Sequence, residues 1–272
     1  MRGRELAEAL RAGRRVYGTA VTSTAAGWPE MIARTGADFA FIDTEHIPID
    51  REKLSWMCRS FAGLGIPPIV RIPEPNPNLA CMALDGGAAG IVAPYIETIE
   101  QVKGLRGAIK CRPLKGKRLE RYLNGEERLE RDLATYIEQK NADHVFLINI
   151  ESVPALESLD ALFAVPDLDA ALVGPHDLSV NLGIPEQYTH PVFKNAISTI
   201  IAKSRAHNLG VGIHFSWNMD MEIEWAREGA NMITHSSDVA IVHETLGNDF
   251  KRFREAMGDT KAGGTGGQET VI

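Results

Sequence analysis

Cysteine is scarce in this chain, with three residues among 272, at Cys58, Cys81 and Cys111. The number is odd, and no two of them have the C-x-x-C spacing. The pattern therefore argues against a disulfide framework and against a zinc site built from thiolates. It is typical of a protein from a reducing compartment, and we expect a cytoplasmic location.

Long apolar runs and an excess of basic residues are also absent. No window reaches the roughly 18 apolar residues of a membrane-spanning helix. The basic N-terminal stretch contains Glu5 and Glu8 and has no apolar core, so it is not a secretory signal; Leu6 and Leu10 predict a short first helix instead. The net charge of -7 provides no basic field for nucleic acid or anionic lipid. We expect neither partner.

Short apolar runs recur through the whole chain, and each has the length of a β-strand. They are RVYGTAVT from Arg15, FAFID from Phe39, PIVRI from Pro68, GIVAPYI from Gly90, HVFLINIE from His144, AALVG from Ala170, GVGIHF from Gly210 and MITHSS from Met232. Helical patterns, several of them ending in glycine, lie between the runs. Continuous rather than alternating apolar residues indicate parallel strands covered on both faces.

About eight such strand–helix units predict a single (β/α)8 barrel, over residues 1–258. A doubly wound sheet is the alternative, but no G-x-G-x-x-G turn follows the first strand, which weakens it. Residues 103–143 are charge-dense and predict a loop followed by a helix. Residues 259–272 are rich in glycine and predict a flexible tail.

Polar side chains stand where several of the predicted strands end, which is where a barrel of this kind places its chemistry. They are Asp43, Glu45 and His46 after the second strand, Arg71 in the third, Asn149 and Glu151 at the fifth, His176 and Asp177 after the sixth, His214 in the seventh, and Ser236 and Ser237 in the eighth. One polar strand end is ordinary. Five or more with matched chemistry indicate a reaction site.

Glu151 and Asp177 follow neighbouring strands, so we expect their carboxylates to lie close together. Two unpaired carboxylates repel, and a shared Mg²⁺ or Mn²⁺ would relieve the repulsion, with water and substrate oxygens completing the octahedron. The alternative is that Asp177 caps the helical turn that follows it.

Arg71 and His46 are the candidates for anion binding and proton transfer. The planar fork of Arg71 matches a carboxylate or an enolate oxygen; a salt bridge with Asp43 or Glu45 is the alternative. Carboxylates beside His46 favour general acid/base catalysis, against a surface histidine before a turn. No lysine falls in a predicted strand, which argues against a Schiff-base aldolase and leaves carbonyl activation to a metal ion.

With these residues in place, the chain resembles a known family, the metal-dependent class II pyruvate aldolases of the HpcH/HpaI type. The resemblance runs in order through FIDTEHIPID, PPIVRIPEPNP, ALDGGAAGIVAP, LINIES, LVGPHDLSVNLGIP and THSSDVAIV, over roughly residues 15–245. It implies a modified barrel of the phosphoenolpyruvate/pyruvate type. It also implies assembly as a hexamer, a trimer of dimers, in which neighbouring chains contribute to each site.

The resemblance also assigns roles. It implies that Glu151 and Asp177 hold the divalent ion (Mg²⁺ or Mn²⁺, with Co²⁺ possible), and that Arg71 stabilises the pyruvate enolate. His46 would move protons, and Asp85 in LDGG would increase the basicity of that histidine. The backbone around Pro175 and His176, together with Asp177, would bind the pyruvate carboxylate, and Asn149 the substrate.

Several positions depart from the family pattern. Asn149 stands where glutamine is common, Ala20 where a bulky aromatic is common, and His176 where a small residue is common. These three departures fall on the side of the aldehyde. RPLKGKR, by contrast, keeps the Pro, Gly and Arg of the family's P-x-G-x-R loop, so the resemblance implies that Arg118 lies near the mouth. The resemblance implies reversible cleavage of a 4-hydroxy-2-oxo acid to pyruvate, or a close 2-oxo acid, and an aldehyde. The alternatives are oxaloacetate decarboxylation, cleavage of acyl-CoA thioesters, or a non-catalytic barrel.

Overall fold

The computed structural model describes residues 1–259, so the predicted tail lies outside the described residues except for Asp259. Within the described chain, eight parallel strands bond in chain order and close into a barrel. They are β1 (Val16–Val21), β2 (Phe39–Asp43), β3 (Pro68–Arg71), β4 (Gly90–Ala93), β5 (Val145–Ile150), β6 (Ala170–Val173), β7 (Gly210–Phe215) and β8 (Met232–Ser237). The predicted (β/α)8 barrel is confirmed, and the doubly wound alternative is wrong.

Helices precede, separate and follow these strands. They are α1 (Gly3–Arg11), α2 (Trp28–Arg34), α3 (Arg51–Gly63), α4 (Pro77–Gly86), α5 (Ile99–Lys110), α6 (Gly116–Leu123), α7 (Arg131–Asn141), α8 (Val153–Glu157), α9 (Leu159–Phe163), α10 (Pro175–Asn181), α11 (Pro191–Ala206), α12 (Met219–Glu228) and α13 (Asp238–Met257). Among the described residues, no helix is both long and apolar enough to cross a bilayer.

The charged excursion at 103–143 is more helical than the sequence predicted. Helix α6 stands in the part where a loop was expected. Leu119 and Leu123, four residues apart on one face of α6, pack against Gly107 of α5, where an added Cβ would lie 3.2 and 3.0 Å from their methyl groups. This small apolar contact packs α6 against α5. The many charged residues of the segment gave no indication of it in the sequence.

The inside of the barrel is filled by residues that alternate along each strand. Phe39, Phe41, Leu147 and Leu172 belong to this interior cluster, which is separate from the larger cluster between strands and outer helices. Gly18 of β1 lies beside the Phe39 ring, where an added Cβ would come within 2.6 Å of ring carbons. The interior therefore accommodates Phe39 because β1 carries glycine at this position.

Helix α1 covers the barrel at the amino ends of its strands. Leu6 and Leu10 are fully buried and belong to the interior cluster. Gly210 of β7 allows this close approach, since an added Cβ would lie 2.7 Å from Cβ of Leu10. The polar strand ends that the sequence singled out lie at the opposite mouth, at the carboxyl ends of the strands.

Candidate active site

A cavity of about 400 Å³ opens at the carboxyl ends of the strands. Its floor consists of interior residues of the barrel, and its rim comes from the loops after β2, β6 and β7. The lining residues are Phe41, His46, Arg71, Asn149, Leu172, Val173, Gly174, Pro175, His176, Asp177, His214 and Trp217. The predicted site residues are thus brought together here, apart from Glu151, which lies behind the lining, and Asp85, which lies elsewhere.

Arg71, at the end of β3, is 7% exposed and forms a bidentate pair with Asp43, at the end of the neighbouring β2. Its Nε and Nη2 donate to the two carboxylate oxygens over 2.9 and 2.6 Å. Burial opposes the charge on both partners, but the paired hydrogen bonds and opposite charges outweigh it. They hold the pKa of Arg71 above its ordinary value and the pKa of Asp43 below its own.

The salt bridge that the sequence left as an alternative for Arg71 is therefore present. Glu45 adds a second carboxylate, with Oε2 lying 3.1 Å from Nε of Arg71. Within residues 1–259, however, the Nη1 group of Arg71 has no hydrogen-bond partner, and the side chain lines the cavity. Arg71 is thus fixed in place by carboxylates on one side and offers N–H donors to a ligand on the other.

Glu151 follows β5 and is 4% exposed. Its Oε1 accepts from the backbone N–H of Tyr95 over 2.7 Å, and its Oε2 from Nδ2 of Asn149 over 2.9 Å. Burial raises the pKa of Glu151 to about 7; the bonds from Tyr95 and Asn149 oppose this, and the charges of Asp177 and Glu45 add to it. The carboxylate is therefore held in place while its negative charge is poorly compensated.

Asp177 lies in the first turn of α10, on the wall of the cavity next to Glu151. Helix α10 begins at Pro175 with Gly174 at its N-cap position, so Asp177 is not the cap residue that the sequence left as an alternative. Gly174 lies against Glu151, because an added Cβ would come within 2.5 Å of Oε2. The missing side chain at Gly174 lets the Glu151 carboxylate approach the start of α10.

This donor set suits a hard divalent cation. Glu151 and Asp177 supply carboxylate oxygens of like charge, and Oδ1 of Asn149 is buried without a hydrogen-bond partner in the described residues. Mg²⁺ and Mn²⁺ take such oxygen ligands and fill their remaining positions with water or substrate. Residues 1–259 contain no cluster of three or more histidine, cysteine or acidic ligands, so an all-protein coordination sphere is absent from the described chain.

His46 lies in the loop after β2 and forms part of the cavity wall. Its imidazole is 46% exposed, and Nε2 lies 3.8 Å from Oε2 of Glu45. The ring is thus accessible to a ligand and stands beside a carboxylate, as the sequence predicted. Because Glu45 also faces Arg71, this carboxylate links the proton-transfer candidate to the anion-binding candidate.

Asp85 and Arg118 lie away from the cavity. Asp85 is on α4, is 67% exposed in its side chain and pairs with Arg112. Arg118 is on α6 and pairs with Glu127 over 2.7 Å. Within one chain, the described residues do not bring Asp85 to His46, so the role that the resemblance implied for Asp85 stays a prediction.

His176 and Pro175 open α10 at the rim of the cavity. The His176 imidazole is partly exposed, with Nδ1 3.6 Å from Oε1 of Glu186, which is too long for a hydrogen bond. The His176 side chain, which stands where the family commonly has a small residue, therefore faces the rim rather than the barrel interior. The backbone N–H of His176 belongs to the first turn of α10.

Sequence reasoning missed Tyr95 and gave His214 and Trp217 no role. Tyr95, just after β4, holds Glu151 through its N–H, and its backbone φ of 52° lies in the left-handed region that non-glycine residues rarely adopt. The adjacent Glu45 carboxylate, with burial, raises the pKa of its phenol to about 12. No motif marks it. His214, by contrast, continues the inward row of Gly210 and Gly212, a period of two that the sequence displays.

Comparisons with known proteins agree with this geometry. The model of the HpcH/HpaI aldolase/citrate lyase family matches residues 21–244. The chain belongs to this family. Among its relatives is the 2-keto-3-deoxy-L-rhamnonate aldolase of Salmonella gallinarum, 29% identical over 250 residues, covering 92% of this chain and 93% of the relative.

Solved structures of the family share the fold. The HpcH/HpaI aldolase from Desulfitobacterium hafniense DCB-2 superposes with a TM-score of 0.79 at 25% identity, covering 92% of this chain and 96% of that one. The citrate synthase SbnG superposes with a TM-score of 0.79 at 25% identity, covering 93% and 99%.

Membership of this family identifies the chain as a carbon–carbon lyase, as the sequence predicted. The curated relatives carry an aldolase name, which favours the aldolase over the decarboxylase and thioester-lyase alternatives. The cavity retains His46, Arg71 and Asp177, so a non-catalytic barrel is not favoured either.

Proposed function

We propose that the chain cleaves a 4-hydroxy-2-oxo acid reversibly into pyruvate, or a close 2-oxo acid, and an aldehyde, with a divalent cation at Glu151 and Asp177. One observation carries the proposal. A buried arginine with a free N–H donor lines the same cavity as Asp177, and behind that lining lies Glu151, whose buried negative charge is poorly compensated. This is the arrangement needed to bind a 2-oxo acid and stabilise its enolate.

The cation would be Mg²⁺ or Mn²⁺, with Co²⁺ as a further candidate, and when bound it would supply Lewis-acid polarisation of the 2-oxo acid. Glu151 and Asp177 are the residues to hold it. Burial and the charge of Asp177 already raise the pKa of Glu151 to about 7, so a cation would remove a repulsion that the folded chain otherwise bears.

Arg71 acts on the oxygen at C2. As the C3–C4 bond breaks, its electron pair forms the enolate across C2 and C3, and negative charge grows on the C2 oxygen. Nη1 of Arg71 is free to donate to that oxygen, because Asp43 already fixes the guanidinium through Nε and Nη2. A donor placed before the reaction needs little reorganisation in the transition state.

His46 acts as the general base. It accepts the proton of the C4 hydroxyl, directly or through one water, so that C4 leaves as the aldehyde carbonyl. C3 of the enolate then gains a proton, which completes the 2-oxo acid product. The exposed imidazole suits exchange with solvent. By resemblance, Asn149 contacts the substrate, and the backbone at Pro175 and His176, with Asp177, receives its carboxylate.

The experiment is metal removal and restoration. Chelated enzyme should release no pyruvate from a panel of 4-hydroxy-2-oxo acids, and Mn²⁺ should restore release, measured with a coupled dehydrogenase. Asp177→Asn should abolish the restored activity, whereas the exposed Glu100→Gln should match the wild type. Full activity of thoroughly chelated enzyme would rule out the proposed role of the cation.

We further propose that residues 1–258 form one domain that assembles as a homo-oligomer, with a hexamer as the expected state. From residue 241 to 257, every residue of α13 is exposed, and apolar side chains recur along one stripe at Val242, Leu246, Phe250 and Phe253. Apolar grooves of about 370 and 530 Å³ lie on the barrel wall beside Trp28 and Ile223. A second copy provides a matching partner for both surfaces.

The test of assembly is light scattering on full-length protein. Leu246→Glu should reduce the mass to that of a smaller species, and Glu244→Gln on the same helix should leave it unchanged. A wild type that is monomeric at working concentration would contradict the proposal. In an oligomer, the exposed Asp85 could serve a neighbour's His46, which would reconcile its position with its implied role. We expect a reducing, cytoplasmic setting, since Cys58, Cys81 and Cys111 are all free thiols.

A further inference from the structure

His214 is a half-buried histidine in the lining of the cavity that the proposed mechanism leaves without a task. Its ring packs on Phe41, with centroids 5.5 Å apart at an interplanar angle of 47°. The guanidinium carbon of Arg71 lies 5.6 Å from the centroid of the same Phe41 ring. His214 therefore sits beside the group that is proposed to receive the C2 oxygen of the substrate.

The hydrogen bonding of His214 fixes its tautomer. Nε2 lies 3.1 Å from the backbone carbonyl oxygen of Ser236, which can only accept, so Nε2 carries the proton and donates it. Burial, with a smaller contribution from the charge of Arg71, lowers the pKa of His214 to about 4, so the ring is neutral at pH 7. Nδ1 thus keeps a lone pair, and it has no hydrogen-bond partner among residues 1–259.

A buried hydroxyl lies beside His214 on the neighbouring strand, behind the residues that line the cavity. Thr234 is the Cα partner of His214 in the register between β7 and β8. Its Oγ1 is buried and, within the described chain, has no hydrogen-bond partner. Of these two side chains, only His214 lines the cavity. Nδ1 of His214 is therefore the acceptor of this pair that a ligand in the cavity can use.

The chemistry of a bound 2-oxo acid determines which of its groups can face Nδ1. A carboxylate carries no proton and would repel the lone pair. The C2 oxygen is likewise an acceptor, and Arg71 is placed to receive it. The part of the substrate that becomes the 2-oxo acid, here called the donor half, has one further carbon, C3. In pyruvate C3 is a methyl group, which would leave Nδ1 unpaired. A hydroxyl on C3 would instead donate to Nδ1.

We propose that His214 determines specificity for a donor half that carries a hydroxyl at C3, so that the substrate is a 3,4-dihydroxy-2-oxo acid and the product a 3-hydroxy-2-oxo acid. This rests on the proposed aldol cleavage and keeps its bond changes: C3–C4 breaks, the C4 hydroxyl proton leaves, and C3 is protonated. The relatives named 2-keto-3-deoxy-L-rhamnonate aldolases act, by that name, on a substrate without the C3 hydroxyl.

Binding tests the inference without turnover. Calorimetry on Mn²⁺-loaded enzyme should give a Kd for hydroxypyruvate about 10- to 100-fold below that for pyruvate, since only hydroxypyruvate carries a hydroxyl that can donate to Nδ1. His214→Leu should bring the ratio of the two Kd values close to one, mainly by weakening hydroxypyruvate. His214→Gln, whose amide can donate to Ser236 and still present an oxygen, should retain part of the preference.

Turnover supplies the second measurement. In the aldol-addition direction, the ratio of kcat/KM for hydroxypyruvate over pyruvate should fall in His214→Leu, because only hydroxypyruvate loses a hydrogen bond. Equal Kd values of the wild type for pyruvate and hydroxypyruvate would overturn the inference. That result would mean that water satisfies Nδ1 when pyruvate is bound. The enzyme could also prefer hydroxypyruvate in a His214-dependent way and yet cleave no 4-hydroxy-2-oxo acid. That result would support the inference about the donor half and would refute the proposed function.

Discussion

Replacement of Glu151 by glutamine tests the charge balance of the cavity more directly than loss of activity does. Glutamine keeps the shape of the side chain and can still accept from the N–H of Tyr95. It removes the negative charge, and its amide can pair with Asn149 if one of the two amides rotates. The variant therefore isolates the cost of a buried carboxylate from the packing around it.

The expected magnitude follows from the pKa of Glu151, which is raised from an ordinary 4.5 to about 7. Between these values the folded chain binds more protons than the unfolded chain, so stability falls as pH rises. The contribution of the protonated group is complete below pH 4.5 and is lost as pH rises through 7. At about 1.4 kcal/mol per pH unit, metal-free wild type should lose up to roughly 3 kcal/mol by pH 8.

The assay is urea unfolding of chelated protein at pH 5 and pH 8. We expect the free energy of unfolding of the wild type to fall relative to that of Glu151→Gln between these two pH values. Saturating Mn²⁺ should stabilise the wild type at pH 8, because binding to the folded state alone adds free energy. It should leave Glu151→Gln almost unchanged, and the exposed Glu100→Gln should follow the wild type throughout.

Two results would refute this reasoning. If the free energies of unfolding of the wild type and Glu151→Gln changed in parallel with pH, burial would not raise the pKa of Glu151. Equal stabilisation of both proteins by Mn²⁺ would mean that the cation binds elsewhere. Either result would remove the physical basis for placing a metal at Glu151.

Three further predictions concern the anion site, the proton-transfer residue and the barrel interior. Arg71→Lys loses the bidentate pair with Asp43, and kcat/KM in the coupled assay should fall about 100- to 1000-fold with little change in circular dichroism. His46→Gln should lower kcat by about 100- to 10,000-fold while the Mn²⁺-induced rise in Tm persists; loss of that rise would show a structural role instead. Gly18→Ala places a Cβ against Phe39 and should cost about 1–3 kcal/mol in urea unfolding; unchanged stability would contradict the packing described for β1.

The fold was predictable because its signals are local. Each strand of the barrel is a short, continuous apolar run, and the register brings consecutive runs together in chain order. The same logic located Arg71, Asn149 and Asp177, since parallel strands all deliver their carboxyl ends to one mouth. The sequence could not decide whether Arg71 binds a ligand or forms a salt bridge. In the structure the same guanidinium pairs with Asp43 and also lines the cavity, so the two roles do not exclude each other.

Other features depend on backbone geometry or on neighbouring elements. Tyr95 matters because its left-handed backbone directs an N–H at Glu151, and nothing in APYIE indicates this. Helix α6 appeared where charge density favoured a loop, since its docking face is only two leucines wide. Asp85 carries a role by resemblance, yet within one chain its carboxylate pairs with Arg112.

The charges at the mouth also connect the cation to the choice of substrate. Asp43 and Glu45 already surround Arg71, so its positive charge is balanced before any ligand arrives. Glu151 and Asp177 add two further carboxylates. Burial, with a smaller contribution from the charge of Asp177, raises the pKa of Glu151 to about 7, so its negative charge is poorly compensated by the protein. An anionic 2-oxo acid would enter a mouth with excess negative charge unless a cation accompanied it. In the proposed mechanism, Arg71 would therefore donate to the enolate oxygen, while affinity for the acid would depend on the cation held by Glu151 and Asp177.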